Sequence, residues 1–128
     1  MRPSRALLLG LACLATTCGG GGGQGPGSPS PSDNPNQMTI SAAGVISPSE
    51  LVVSPGSRVL FINNHSRPHN VTSDQHPDHL ECPAINQVGL LMPGQNRETG
   101  NLVAVRTCGF HDHEDPDNPR LRGRIVVR

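Results

Sequence analysis

The apolar positions of this chain fall in short runs separated by turn residues. Met38–Ile46 is weakly apolar. Glu50–Val53, Arg58–Asn63, His69–Ser73, Gln87–Met92, Leu102–Thr107 and Arg124–Val127 follow, most of them rich in β-branched residues. Ser47-Pro48-Ser49, Ser54-Pro55-Gly56-Ser57 and Pro93-Gly94 interrupt them with turn chemistry. No stretch carries a helical period and no segment repeats. Many short strands with turn signals at close spacing predict an all-β fold, a Greek-key antiparallel β-sandwich.

The N-terminal third has a different character. In residues 1–17, Arg2 and Arg5 precede the apolar stretch Ala6–Ala15, the pattern of an export signal. That stretch is shorter than the about 20 apolar residues a membrane-spanning helix needs. Cys18 and a run of five glycines follow. A cysteine so placed resembles the lipidation site of a bacterial lipoprotein, although Ala15 and Thr17 depart from the usual flanks; an ordinary cleaved signal is the other reading. Residues 18–37, rich in Gly, Pro and Ser, cannot bury enough apolar surface to offset their ordering entropy and read as a disordered, flexible linker. Residues 38–128 are expected to form one domain, exported and periplasmic or on the cell envelope, touching a membrane only through a lipid on Cys18.

A domain of about 90 residues can bury a modest core. With no Trp or Tyr and two Phe, that core must be mainly aliphatic. The formal net charge is zero and no Lys/Arg stripe with interleaved aromatics occurs, which argues against nucleic acid as a partner. No nucleophile–base–orienter set and no paired acids stand out, so the chain is expected not to be an enzyme. In an oxidising compartment Cys82 and Cys108 would by default pair.

One constellation points at a chemistry. His69 opens a strand-like run, and Cys108-Gly109-Phe110-His111 comes about 40 residues later. Two imidazoles and a thiolate brought together by a β-sandwich are what a mononuclear copper centre needs.

Leu51–Asn64 with its Pro-Gly turn, His69-Asn70-Val71, Cys108–His111 and Leu121–Val127, in that order, resemble the plastocyanin/azurin group of cupredoxins. The resemblance covers most of residues 45–128. It implies a cupredoxin-like fold and one copper ion cycling between Cu(I) and Cu(II). The ligands would be His69, Cys108 and His111, and the role one-electron transfer to unidentified redox partner proteins by a monomer. The family's axial Met falls at Leu121, which cannot ligate. Met92, near a turn the family places toward the metal, is a weaker substitute or a core residue. The segment His111–Leu121 is longer than in the family. It offers His113 and Glu114 as alternative ligands, or simply a solvated polar loop. Arg106 stands two residues before Cys108, where the family carries an inward aromatic, so a bulge or poorly distinguished strand faces are expected there.

Cys82 is the main competitor. A Cys82–Cys108 disulfide would remove the copper thiolate; Cys82 could instead be a free thiol or a second thiolate ligand. His65 reads as a surface residue. His76 and His79 flank Pro77-Asp78 and read as a solvated loop or as parts of a second metal site. Two function classes stay open. One is a copper electron carrier with a His2Cys site lacking axial Met. The other is a copper-binding, storage or copper-free structural module with a Cys82–Cys108 disulfide. A zinc site built from Cys82, Cys108 and His111 lacks the close Cys pairs of common zinc modules.

Overall fold

The computed structural model describes residues 34–128. The predicted signal 1–17, Cys18 and most of the 18–37 linker lie outside the described residues. Among the described residues no helix is long and apolar enough to cross a membrane.

Among the described residues nine strands form two sheets: β1 (Gln37–Ile40), β2 (Ile46–Ser47), β3 (Glu50–Val53), β4 (Leu60–Asn63), β5 (His69–Ser73), β6 (Gly89–Leu91), β7 (Asn96–Glu98), β8 (Arg106–Asp112) and β9 (Arg122–Val127). The first sheet runs β2-β1-β4-β7 and the second β3-β9-β8-β5-β6. The predicted sandwich is thus present, with two parallel pairs, β1–β4 and β3–β9, among otherwise antiparallel neighbours. Gly56 and Gly94 take φ of +88° and +80°, as the predicted Pro-Gly turns require.

The core lies between the sheets and is mainly aliphatic, with Met38, the cysteines Cys82 and Cys108, and two aromatic residues, Phe61 on β4 and Phe110 on β8. Their rings meet edge to face with centroids 5.1 Å apart. Gly123, directly opposite Phe110 on β9, leaves room for that ring, because a Cβ there would lie 2.6 Å from the ring tip. Asn63 is fully buried and ties the chain entering β5 to β6. Its amide donates to the carbonyls of Arg67 and Leu91, and its oxygen accepts from the His65 amide.

Two strand readings shift. Leu102–Thr107 is strand only from Arg106. Leu102 is buried and bridges to Ser57, whereas Val103 and Val105 are exposed. This run crosses from one sheet to the other, so its β-branched residues find no ladder. The strand that matters, Arg106–Asp112, was hidden by its glycine and polar residues. Arg106 needs no bulge, because it is an exposed residue at the start of β8. Gln87–Met92 divides into a 3-10 turn (Pro83–Gln87), which buries Ile85, and β6. Met92 lies beyond β6 and is half-exposed, not core. Leu121 is buried in a second 3-10 turn, Pro119–Leu121.

Candidate metal centre

Strand β8 is the axis of the site, and side-chain parity decides what it can assemble. Successive side chains on a strand point to opposite faces. Cys108 and Phe110 point into the core. A Cβ on Gly109 would run into the Asp74 carboxylate, and His111 Nδ1 donates to Asp74 Oδ1 at 2.5 Å. Gly109 and His111 therefore share the outer face. Cys108 and His111 face opposite ways.

Cys108 is bonded to Cys82, with Cα atoms 5.7 Å apart, and both cysteines are buried in the core. His69 is also distant. Val71 pairs with Asp112, so His69 lies level with residue 114. The His69 ring touches Asp112 at the end of β8, and four residues of strand separate Asp112 from Cys108, about 13 Å at the usual rise. The structure does not bring His69, Cys108 and His111 together.

It assembles a different set. His76, His79, His111 and His113 each offer a ring nitrogen, and these atoms lie within 4.8 Å of one another. Two come from the end of β8 and the residue just beyond it. Spaced i, i+2, His111 and His113 fall on one face of an extended chain. The other two come from the loop after β5, which folds back over that face. The loop is held by backbone bonds from Asp74 N to Gly109 O, Glu81 N to Asp74 O and His79 N to Gln75 O. The Glu81 carboxylate accepts from the Gly109 amide. His79 itself sits in the left-handed region at φ +54°, a conformation that persists only where surroundings impose it.

Hydrogen bonds at the edge of the cluster fix two of these rings. A ligating imidazole usually donates its second N–H to a carboxylate or backbone carbonyl, which fixes its tautomer and aim. His111 donates from Nδ1 to Asp74, which is also 3.7 Å from the Arg122 guanidinium. His79 donates from Nδ1 to the Ser73 carbonyl at 2.9 Å. With Nδ1 engaged, each ring has Nε2 left to offer. His79 Nε2 lies 3.0 Å from His113 Nδ1, and His111 Nε2 is 3.3 Å from the Thr72 hydroxyl. His76 is the exposed member; its ring lies 5.2 to 5.8 Å, centroid to centroid, from the other three. Four nitrogen donors fit copper, for which imidazole sites have the highest affinity among divalent first-row metals, and they also accept zinc.

Of the predicted site residues, His111 and His113 fall in this cluster, and Cys82 and Cys108 form the disulfide. Met92 is half-exposed beyond β6, with its backbone amide bonded to Gln95. His76 and His79 belong to the cluster and are not merely a solvated loop. His65 is not a simple surface residue: its Nδ1 is 2.7 Å from His69 Nε2, and the rings stack. His69 Nδ1 donates to buried Asp112 Oδ2 at 2.6 Å. The stronger signal in this stretch is His111-Asp112-His113, whose even spacing puts both imidazoles on one face of an extended chain.

No protein-family model matches the chain. Amicyanin of Paracoccus denitrificans is 28% identical over 78 residues, 61% of this chain and 54% of amicyanin. The chain therefore spans about half the length of that relative. Among solved structures, a purple cupredoxin from Nitrosopumilus maritimus superposes with TM-score 0.55 at 22% identity, over 72% of this chain and 98% of that one. Oxidised plastocyanin from Dryopteris crassirhizoma gives 0.56 at 16%, over 72% and 99%. A methionine-to-alanine variant of amicyanin in its Cu(I) form gives 0.53 at 22%, over 72% and 80%.

Proposed function

We propose that this chain, a cupredoxin by fold, is an exported copper-binding protein whose ion is held by His76, His79, His111 and His113 and not by a thiolate. One observation carries the reading: four imidazole nitrogens converge on one side of β8, with His111 and His79 aimed by Asp74 and the Ser73 carbonyl. Copper bound there would supply a Cu(II)/Cu(I) couple.

The chain's own residues do the rest. Asp74 engages Nδ1 of His111, so that Nε2, which faces the Thr72 hydroxyl, would be the atom that binds. The Ser73 carbonyl does the same for His79. The disulfide ties the segment after His79 to the segment before His111, three residues from each. Without a soft thiolate, the donor set favours Cu(II) more than a His2Cys site does. This favours binding, storage or delivery of copper.

Electron transfer to a redox partner is the second reading. It draws on the fold shared with plastocyanin and amicyanin and on His76, whose exposed ring would place one ligand at the surface. Export, a lipid anchor at Cys18 and a monomeric state belong to the same proposal and rest on the sequence.

The test is metal titration of the purified chain with Cu(II) and Zn(II), each followed by competition with a chelator. One tight equivalent, with Cu(II) preferred and the affinity lost in His111→Ala, is the expected result. Binding that His111→Ala leaves unchanged would exclude this site.

A further inference from the structure

We infer that His69 and Asp112 are positioning residues that lock the segment carrying His111 and His113 onto β5 and do not touch the metal; this rests on the four-imidazole reading above. Asp112 stands between the two histidines in sequence but on the inner face, where it is 4% exposed. Its two oxygens are fully used. Oδ2 accepts from His69 Nδ1 at 2.6 Å, and Oδ1 accepts from the amides of Asn70 at 2.9 Å and Glu114 at 3.2 Å. The His113 amide in turn donates to the Asn70 carbonyl at 2.8 Å. Asp112 thus pins the chain on both sides of His113 to the first residues of β5.

His69 has no nitrogen to spare. With Nδ1 committed to Asp112, its other ring nitrogen, Nε2, is taken up by His65 Nδ1 at 2.7 Å. The relay runs from His65 through His69 to Asp112, and from Asp112 through two backbone amides to the turn that sets the direction of His113. Remove the His69 donor and a buried carboxylate oxygen loses its partner. An unsatisfied buried group is costly enough that the turn is expected to shift.

The experiment compares wild type, His69→Leu and His69→Gln, each loaded with Cu(II). It reads copper affinity by chelator competition and the ligand nitrogens by electron paramagnetic resonance. Leucine cannot donate to Asp112; glutamine can. The expected result is four coordinated nitrogens in all three, affinity about tenfold weaker in His69→Leu, in line with losses on removing ligand-supporting partners, and recovery toward wild type in His69→Gln. Loss of one nitrogen in both variants would make His69 a ligand and overturn the inference. Unchanged affinity in His69→Leu would overturn it too, by removing the positioning role. Wild-type protein that shows fewer than four nitrogens refutes the four-imidazole reading itself, a result separate from the variant comparison, and the inference falls with it. If melting of the metal-free protein shows that His69→Leu does not fold, Asp112→Asn replaces it. Asparagine accepts on one atom only, so it serves either His69 or the backbone amides, and the same weakened affinity with four nitrogens is expected.

Discussion

Cys108 and His111 lie three residues apart on one strand and face opposite sides of it. An odd spacing in an extended chain separates two side chains across the sheet; only a break in the strand between them could bring both to one ion. Here the ladder from Cys108 to His111 is continuous with β9, each residue paired in register with Ile125, Arg124, Gly123 and Arg122. The sulfur is therefore left to the core and the imidazole to the outer face.

The disulfide should be worth measuring on its own. Cys82 and Cys108 are 26 residues apart, and closing a loop of that size stabilises by about 3 kcal/mol in the chain-entropy model. Denaturant unfolding of Cys82→Ala/Cys108→Ala is expected to show that loss. The copper spectrum of the folded double variant should keep its nitrogen pattern. Titration of denatured wild type with a thiol reagent should find neither Cys82 nor Cys108 reactive; a free thiol at either would contradict the pairing.

Asp74 is predicted to support binding more than folding. Asp74→Asn keeps an acceptor for the His111 ring but loses the charge, and outer-shell changes of this kind weaken metal affinity by roughly 10- to 100-fold. Gly109→Ala should have a similar effect by another route, since its Cβ would collide with the Asp74 carboxylate and crowd Glu81 Oε2 at 3.1 Å. Chelator competition measures both; wild-type affinity in Asp74→Asn would show that the carboxylate does not tune His111.

The four histidines should separate by burial. His76 is exposed and His111 is 1% exposed. His76→Ala should leave metal-free stability within about 0.5 kcal/mol, as surface substitutions do, while removing one coordinated nitrogen. His111→Ala should abolish tight binding and lower stability by about 1–3 kcal/mol, since it strands Asp74 and leaves a gap over the sheet. Melting and spin resonance on the same samples check both; a His76→Ala protein that keeps four nitrogens would place that ring outside the site.

Core packing behind the site is a fourth point of attack. Phe110 packs edge to face on Phe61, and Phe110→Ala is expected to cost about 3–5 kcal/mol. Gly123→Ala drives a methyl toward Phe110 and the Ser49 carbonyl, 2.8 Å away, and should cost about 1–3 kcal/mol by overpacking. Urea unfolding tests each; a neutral Gly123→Ala would mean that the ring shifts freely.

The strand pattern was legible where apolar residues alternate with polar ones. Glu50–Val53 and His69–Ser73 are strands over the residues their sequence marks. Arg106–Asp112 was not, because its outer face carries glycine and histidine and its inner face ends on a buried aspartate, so hydrophobicity does not alternate along it. The exposed Val103 and Val105 drew the strand four residues too early. The site was partly legible for the same reason. His111 and His113 were visible as chemistry, but their i, i+2 spacing carries meaning only once residue 111 is known to lie in a strand. His76 and His79 join them through a loop whose course depends on contacts with Gly109 and Ser73, which no local pattern encodes.

The visible and spin-resonance spectra of the Cu(II)-loaded chain test the central claim most directly. Four imidazole ligands predict a weak visible absorption, nitrogen hyperfine structure and no intense thiolate-to-copper band, with Cys108→Ser spectroscopically silent. An intense band that disappears in Cys108→Ser would show the thiolate on the metal and contradict the account.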